Sequence, residues 1–90
     1  MPDLPHRTFA EEVTDAAAWL AVHARPSTGK PFDSYTLKHL VQRDVGAYIS
    51  SKAVVAAATA AGYRIAGEPT KAGNAWLRLA VRKRPRDRVN

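Results

Sequence analysis

The sequence predicts an α+β domain: three helices followed by a C-terminal β-hairpin, with helices two and three disposed as a helix-turn-helix, the element order of a winged helix. Three observations carry this. Apolar residues recur at steps of three and four in the stretches that open at Thr8 and Ser34. The short turn "GAYIS" divides the second stretch from an alanine-rich third. After Gly62 the period changes from helical to alternating.

The first helix is read in "TFAEEVTDAAAWLAVHA". Thr8 with Glu11 three residues on forms a capping-box signature, and Glu11, Glu12 and Asp15 suit the positive end of a helix. Phe9, Val13, Ala16, Ala17, Leu20 and Ala24 make one stripe, which leaves Trp19 and Val22 off it. "RPSTGKPF" reads as a linker, with two prolines, a glycine and small polar residues. Ser34 is expected to cap "SYTLKHLVQRDVG", whose stripe is Leu37, Leu40, Val41 and Val45 and whose stop is Gly46. Ser50 is expected to cap "SKAVVAAATAAG", ending at Gly62. Ile49 before that cap and Val54 after it form a hydrophobic staple that specifies the turn.

"YRIA" and "AWLRLAV" are the hairpin arms, joined by a tip "GEPTKAGN". Leu77, Leu79 and Val81 face one way; Trp76, Arg78 and Ala80 face the other. The reading divides the chain into a flexible 1–7, a single domain over 8–82 and a basic flexible tail over 83–90. The expected core is Leu20, Leu37, Leu40, Val41, Val45, Ile49, Val54, Ile65, Leu77 and Leu79.

Ninety residues make one domain with one core. The absence of cysteine rules out disulfides and thiolate metal sites and fits a reducing compartment. The opening "MPDLPHRTFAEE" shows no secretory pattern, and no apolar run reaches the roughly 20 residues of a membrane helix. A cytoplasmic protein with no membrane partner is expected.

Charge is distributed unevenly. Residues 1–24 hold one arginine against four acids, a net of −3, whereas residues 25–90 hold thirteen Lys and Arg against four acids, a net of +9. A basic body of this kind points to a polyanionic partner. The tail "RKRPRDR" supplies much of the excess, since residues 82–90 alone contribute +4.

The expected contacts to nucleic acid, DNA first, are Lys38 on helix two and Ser50, Ser51 and Lys52 at the start of helix three. Arg64, Lys71 and Arg78 on the hairpin join them, with Arg82, Lys83 and Arg84 in the tail. Base readout needs Arg, Lys, Asn or Gln on the recognition helix, and beyond Lys52 this helix offers Ala53, Ala56, Ala57, Thr59 and Ala60. Contacts are therefore expected to fall mostly on the backbone. Trp19 and Val22, three apart, suggest an exposed apolar strip for a host protein or a second copy, and Trp76 beside Arg78 is a further contact candidate.

Catalysis is not expected. Ser50, Ser51 and His39 show no spacing that specifies a dyad, and Asp33 and Asp44 read as surface charge. His6, His23 and His39 fall in separate segments, so neither a metal nor another cofactor is expected, and no small-molecule substrate either.

The segment "SYTLKHLVQRDVGAYISSKAVVAAATAAGYRI" resembles a group of short phage, plasmid and actinobacterial proteins patterned S-Y-x-L-K-H, G-x-Y-[IV]-S and G-[YF]-R. The matching residues are Ser34, Tyr35, Leu37, Lys38, His39, Gly46, Tyr48, Ile49, Ser50, Gly62, Tyr63 and Arg64. The resemblance implies a small mobile-element protein of a kind that binds DNA or docks on a host protein. It brings no activity with it.

Overall fold

A computed structural model describes residues 8–68, 70 and 73–82. Its elements run α1 (Phe9–His23), β1 (Ala24–Pro26), β2 (Phe32–Asp33), α2 (Ser34–Val45), α3 (Ser51–Ala60), β3 (Ile65–Ala66), β4 (Trp76–Leu77) and β5 (Leu79–Val81). The fold is α+β, with three helices and two small antiparallel sheets among the described residues. The segments 1–7 and 83–90, assigned above to loose ends, lie outside the described residues, as do Lys71, Lys83 and Arg84.

The caps are set by local chemistry. Thr8 and Glu11 close their capping box with reciprocal bonds of 3.0 and 3.1 Å. Gly46 ends α2 in the left-handed region at φ 78, where a Cβ would be strained. The Ser50 hydroxyl accepts from Ala53 N at 3.1 Å, and its staple partners Ile49 and Val54 are both fully buried.

At α2 the cap is Asp33, not Ser34. The Asp33 carboxylate accepts from Tyr35 N, while Ser34 is turned inward and fully buried. There Ser34 N donates to Ala75 O and Ala75 N donates to Ser34 Oγ, both at 2.8 Å. A buried hydroxyl needs a partner, and the hairpin provides one.

α1 is rotated from the expected stripe. Its buried residues are Glu12, Ala16, Trp19 and Leu20, while Phe9 and Ala17 face solvent. Trp19 turns inward because its indole has a partner there: Nε1 donates to Asp44 Oδ2 at 2.6 Å.

The helices meet through small residues. Ala16 of α1 and Ala53, Ala57 and Ala58 of α3 are all buried, so α1 and α3 approach closely. Of the expected core, Leu20, Leu37, Val41, Ile49, Val54, Leu77 and Leu79 lie at its centre, and Leu40, Val45 and Ile65 pack against it.

The stretch read as a linker between α1 and α2 contributes two strands. β1 pairs antiparallel with β5, Ala24 opposite Val81; β2 pairs with β4, Phe32 opposite Leu77. Pro26 is tolerated because β1 lies at a sheet edge. The hairpin is correspondingly shorter than expected. Among the described residues its paired strands are the two-residue β3 and β4, Ile65 opposite Leu77, and past Arg78 the second arm turns to β1 instead. Its alternation holds: Leu77 and Leu79 are fully buried, and Trp76 and Arg78 are exposed.

Candidate nucleic-acid interface

The expected contact residues that are described fall into three places. Lys38 lies half-buried on α2, its ammonium 5.7 Å from the Tyr35 ring centre and 5.3 Å from that of Tyr48. It also donates to Gln42 Oε1 at 3.5 Å, and the same oxygen accepts from Ile49 N at 3.1 Å. The side chain thus fastens α2 to the turn before α3. Two rings and an amide hold its charge in place.

At the start of α3 the outcome differs from expectation. The Ser50 hydroxyl is used as the cap, and Ser50 N donates to Glu12 Oε1 at 2.8 Å. Glu12 is buried, so a carboxylate of α1 already sits at the positive end of α3. A phosphate approaching those amides meets that negative charge. Ser51 is half-buried, and Lys52 alone of the three stands in solvent. Its stem lies against the hairpin tip: a Cβ built on Gly73 would fall 2.6 Å from Lys52 Cγ. Of the residues that follow, Thr59 and Ala60 are exposed and Val55 and Ala56 half-buried, a surface small enough for close approach and poor in donors.

The third place is on the sheet. Arg78 N donates to Arg64 O at 2.8 Å, which extends the β3–β4 register by one step and sets Arg64 opposite Arg78. Both are exposed and both line a groove of about 380 Å³ with Pro26, Ser27, Thr28, Gly62 and Tyr63. Arg78 is held by Ser27 N, which donates to its carbonyl at 3.3 Å, and by its own Nη1, which donates to Gly29 O at 3.5 Å. Among the described residues neither guanidinium pairs with a carboxylate. Arg82 is exposed after β5, its N–H donating to His23 O at 2.7 Å.

The exposed strip expected from Trp19 and Val22 does not form. Trp19 is only 7% exposed and is tied to Asp44, which leaves Val22 outward without it. Trp76, by contrast, is 49% exposed and lines a shallow groove with Lys30, Pro31, Phe32, Asp33 and Thr36.

Sequence reasoning missed Ser27, Thr28, Lys30 and Phe32, all within the stretch read as a linker. It also missed Glu12 as the acid at the α3 terminus. The two hydroxyls beside a glycine and a lysine in "PSTGK" were a signal for the first group. Nothing local marked Glu12.

Among the described residues no three of His, Asp and Glu converge, and no helix is long and apolar enough to cross a membrane. Compared with protein-family models, with curated proteins and with solved structures, the chain finds no match.

Proposed function

We propose that this chain is a non-enzymatic nucleic-acid-binding protein that engages DNA mainly through the phosphate backbone, a small regulator of mobile-element character. The observation that carries the reading is the opposition of Arg64 and Arg78 with no carboxylate paired to either among the described residues, on the same molecule as an exposed Lys52 braced by the hairpin tip. What supports a winged-helix mode is the topology. The segment between α1 and α2 pairs with the strands that follow α3, and the hairpin tip reaches back to Lys52. α3 is the segment to enter a groove, its small outward residues allowing approach while the cations meet phosphates.

Titration of duplex DNA against salt tests it. Three cations on phosphates contribute a slope of about −3 to log K against log salt. Absence of binding to duplex and single strands at low salt would end the reading.

A second reading, a protein-interaction module that docks on a host protein or on a second copy, is favoured by Trp76 in its groove with Phe32. It no longer draws on Trp19. A partner captured with nuclease present and lost in Trp76→Ala supports it.

A further inference from the structure

Arg64 and Arg78 stand opposite one another one step beyond the paired residues of β3 and β4, joined by the bond from Arg78 N to Arg64 O at 2.8 Å. Like charges at such a pair weaken a sheet, and among the described residues no carboxylate offsets these two. Both arginines line one groove, so the like charges are a cost that the sheet carries. The groove they line adds the hydroxyl-bearing Ser27 and Thr28, so its wall offers guanidinium and hydroxyl donors. That donor set suits a phosphate.

Next to it lies a different kind of surface. Trp76 precedes Arg78 by two residues and faces outward like it, about 7 Å along the strand. It lines its groove with Phe32 and Pro31, apolar ground on which a flat ring can lie. The Asp33 carboxylate in that groove accepts from Tyr35 N and Thr36 Oγ1, and an acidic side chain there is a poor neighbour for a phosphate. Chemistry thus divides the face: anion over the arginines, neutral ring over the indole. The turn 27–30 joins the two, with Ser27 and Thr28 on the first groove and Lys30 on the second.

The geometry points to a binding site for an unpaired nucleotide, its phosphate held by Arg64 and Arg78 and its base stacked on Trp76. The inference rests on the nucleic-acid reading above and adds a preference to it. Within a duplex both faces of a base are covered by neighbours, so an exposed indole is useful only to a base outside the stack. This face would take a strand end, a melted position or a single strand.

Fluorescence and anisotropy titrations of the full chain with a thymidine oligonucleotide and with a duplex of equal length test the inference. Trp19 is buried against α2, so quenching on binding reports Trp76. The expected result is strong quenching by the single strand, and about a tenfold loss of single-strand affinity in Trp76→Ala. Duplex affinity in that variant should stay within about twofold, since the duplex has no free base face to lose. Arg64→Gln removes a charge from an exposed side chain, so folding is not at stake. It should weaken both ligands and lower each salt slope by about one. Should Trp76→Ala fail to fold, the single-strand salt slope of Arg64→Gln decides instead, and an unchanged slope overturns the inference. Duplex binding without single-strand quenching, or unchanged single-strand affinity in Trp76→Ala, overturns it and leaves the parent reading intact. Failure of both oligonucleotides to bind removes the two together.

Discussion

The indole of Trp19 donates to the carboxylate of Asp44 at 2.6 Å and so ties α1 to the last turn of α2. Asp44 also faces Arg43 at 3.6 Å, an exposed neighbour of little energetic weight. Trp19→Phe keeps most of the ring volume and removes the donor. Hydrogen bonds to charged groups are worth about 1.5–3 kcal/mol, and a loss in that range is expected in urea unfolding. Trp19→Ala should cost about 3–5 kcal/mol through the cavity it opens. A Trp19→Phe variant as stable as the parent would show that the bond is not formed in solution.

Glu12 performs the matching task between α1 and α3. Its Oε1 accepts from Ser50 N at 2.8 Å while the residue is 7% exposed. Glu12→Ala leaves that amide unpaired and should cost about 1–3 kcal/mol. Glu12→Gln keeps an acceptor and loses the charge at the positive end of α3, so its stability cost should be smaller. The same substitution removes the charge that opposes a phosphate at α3, and duplex affinity should rise about two- to fivefold. Unchanged or weaker DNA binding in Glu12→Gln would place the start of α3 away from the phosphates.

These two bonds also mark where the sequence is legible and where it is not. The Thr8–Glu11 box, the Ser50 cap and the Gly46 stop are decided within four residues, and all three are readable from spacing. The alternation of Trp76, Leu77, Arg78 and Leu79 is equally local, and the structure keeps it. Trp19–Asp44, Glu12–Ser50 and Ser34–Ala75 join positions 25, 38 and 41 residues apart. Hydropathy ranks Glu12 and Ser34 as surface residues, and only distant partners make them interior. β1 and β2 are three and two residues long, too short to show a period, and exist because β5 and β4 pair with them. Of the candidate interface, composition pointed to Arg64 and Arg78. Their opposition is a matter of register, which the hairpin sets.

Ser34 offers a test of that hairpin's attachment to α2. Its hydroxyl accepts from Ala75 N at 2.8 Å, with both residues buried. Ser34→Ala leaves the Ala75 N–H without its acceptor in the interior, at a cost of about 1–3 kcal/mol. Hydrogen exchange should locate the effect, with the Ala75 amide losing protection before the amides of α3. Uniform loss of protection across the chain would mean that α2, the hairpin and α3 open together.

Gly73 and Lys52 connect the hairpin tip to α3, and a double-mutant cycle can measure the connection. Gly73 has φ +88, and a Cβ there would lie 2.6 Å from Lys52 Cγ. Gly73→Ala therefore carries a backbone penalty of about 1–2 kcal/mol and also pushes the lysine stem aside. Its stability should fall by at least that penalty, and duplex affinity should fall with it because Lys52 leaves its position. Lys52→Ala acts on an exposed residue, so stability should change by less than about 0.5 kcal/mol. Its DNA salt slope should shrink by about one. In the double variant the clash is gone and only the backbone penalty remains. The combined loss should be smaller than the sum by about 0.5 kcal/mol or more, the range seen for residues in contact. Strict additivity would mean that the tip does not rest on Lys52 in solution, and the cation at the head of α3 would then act without the hairpin.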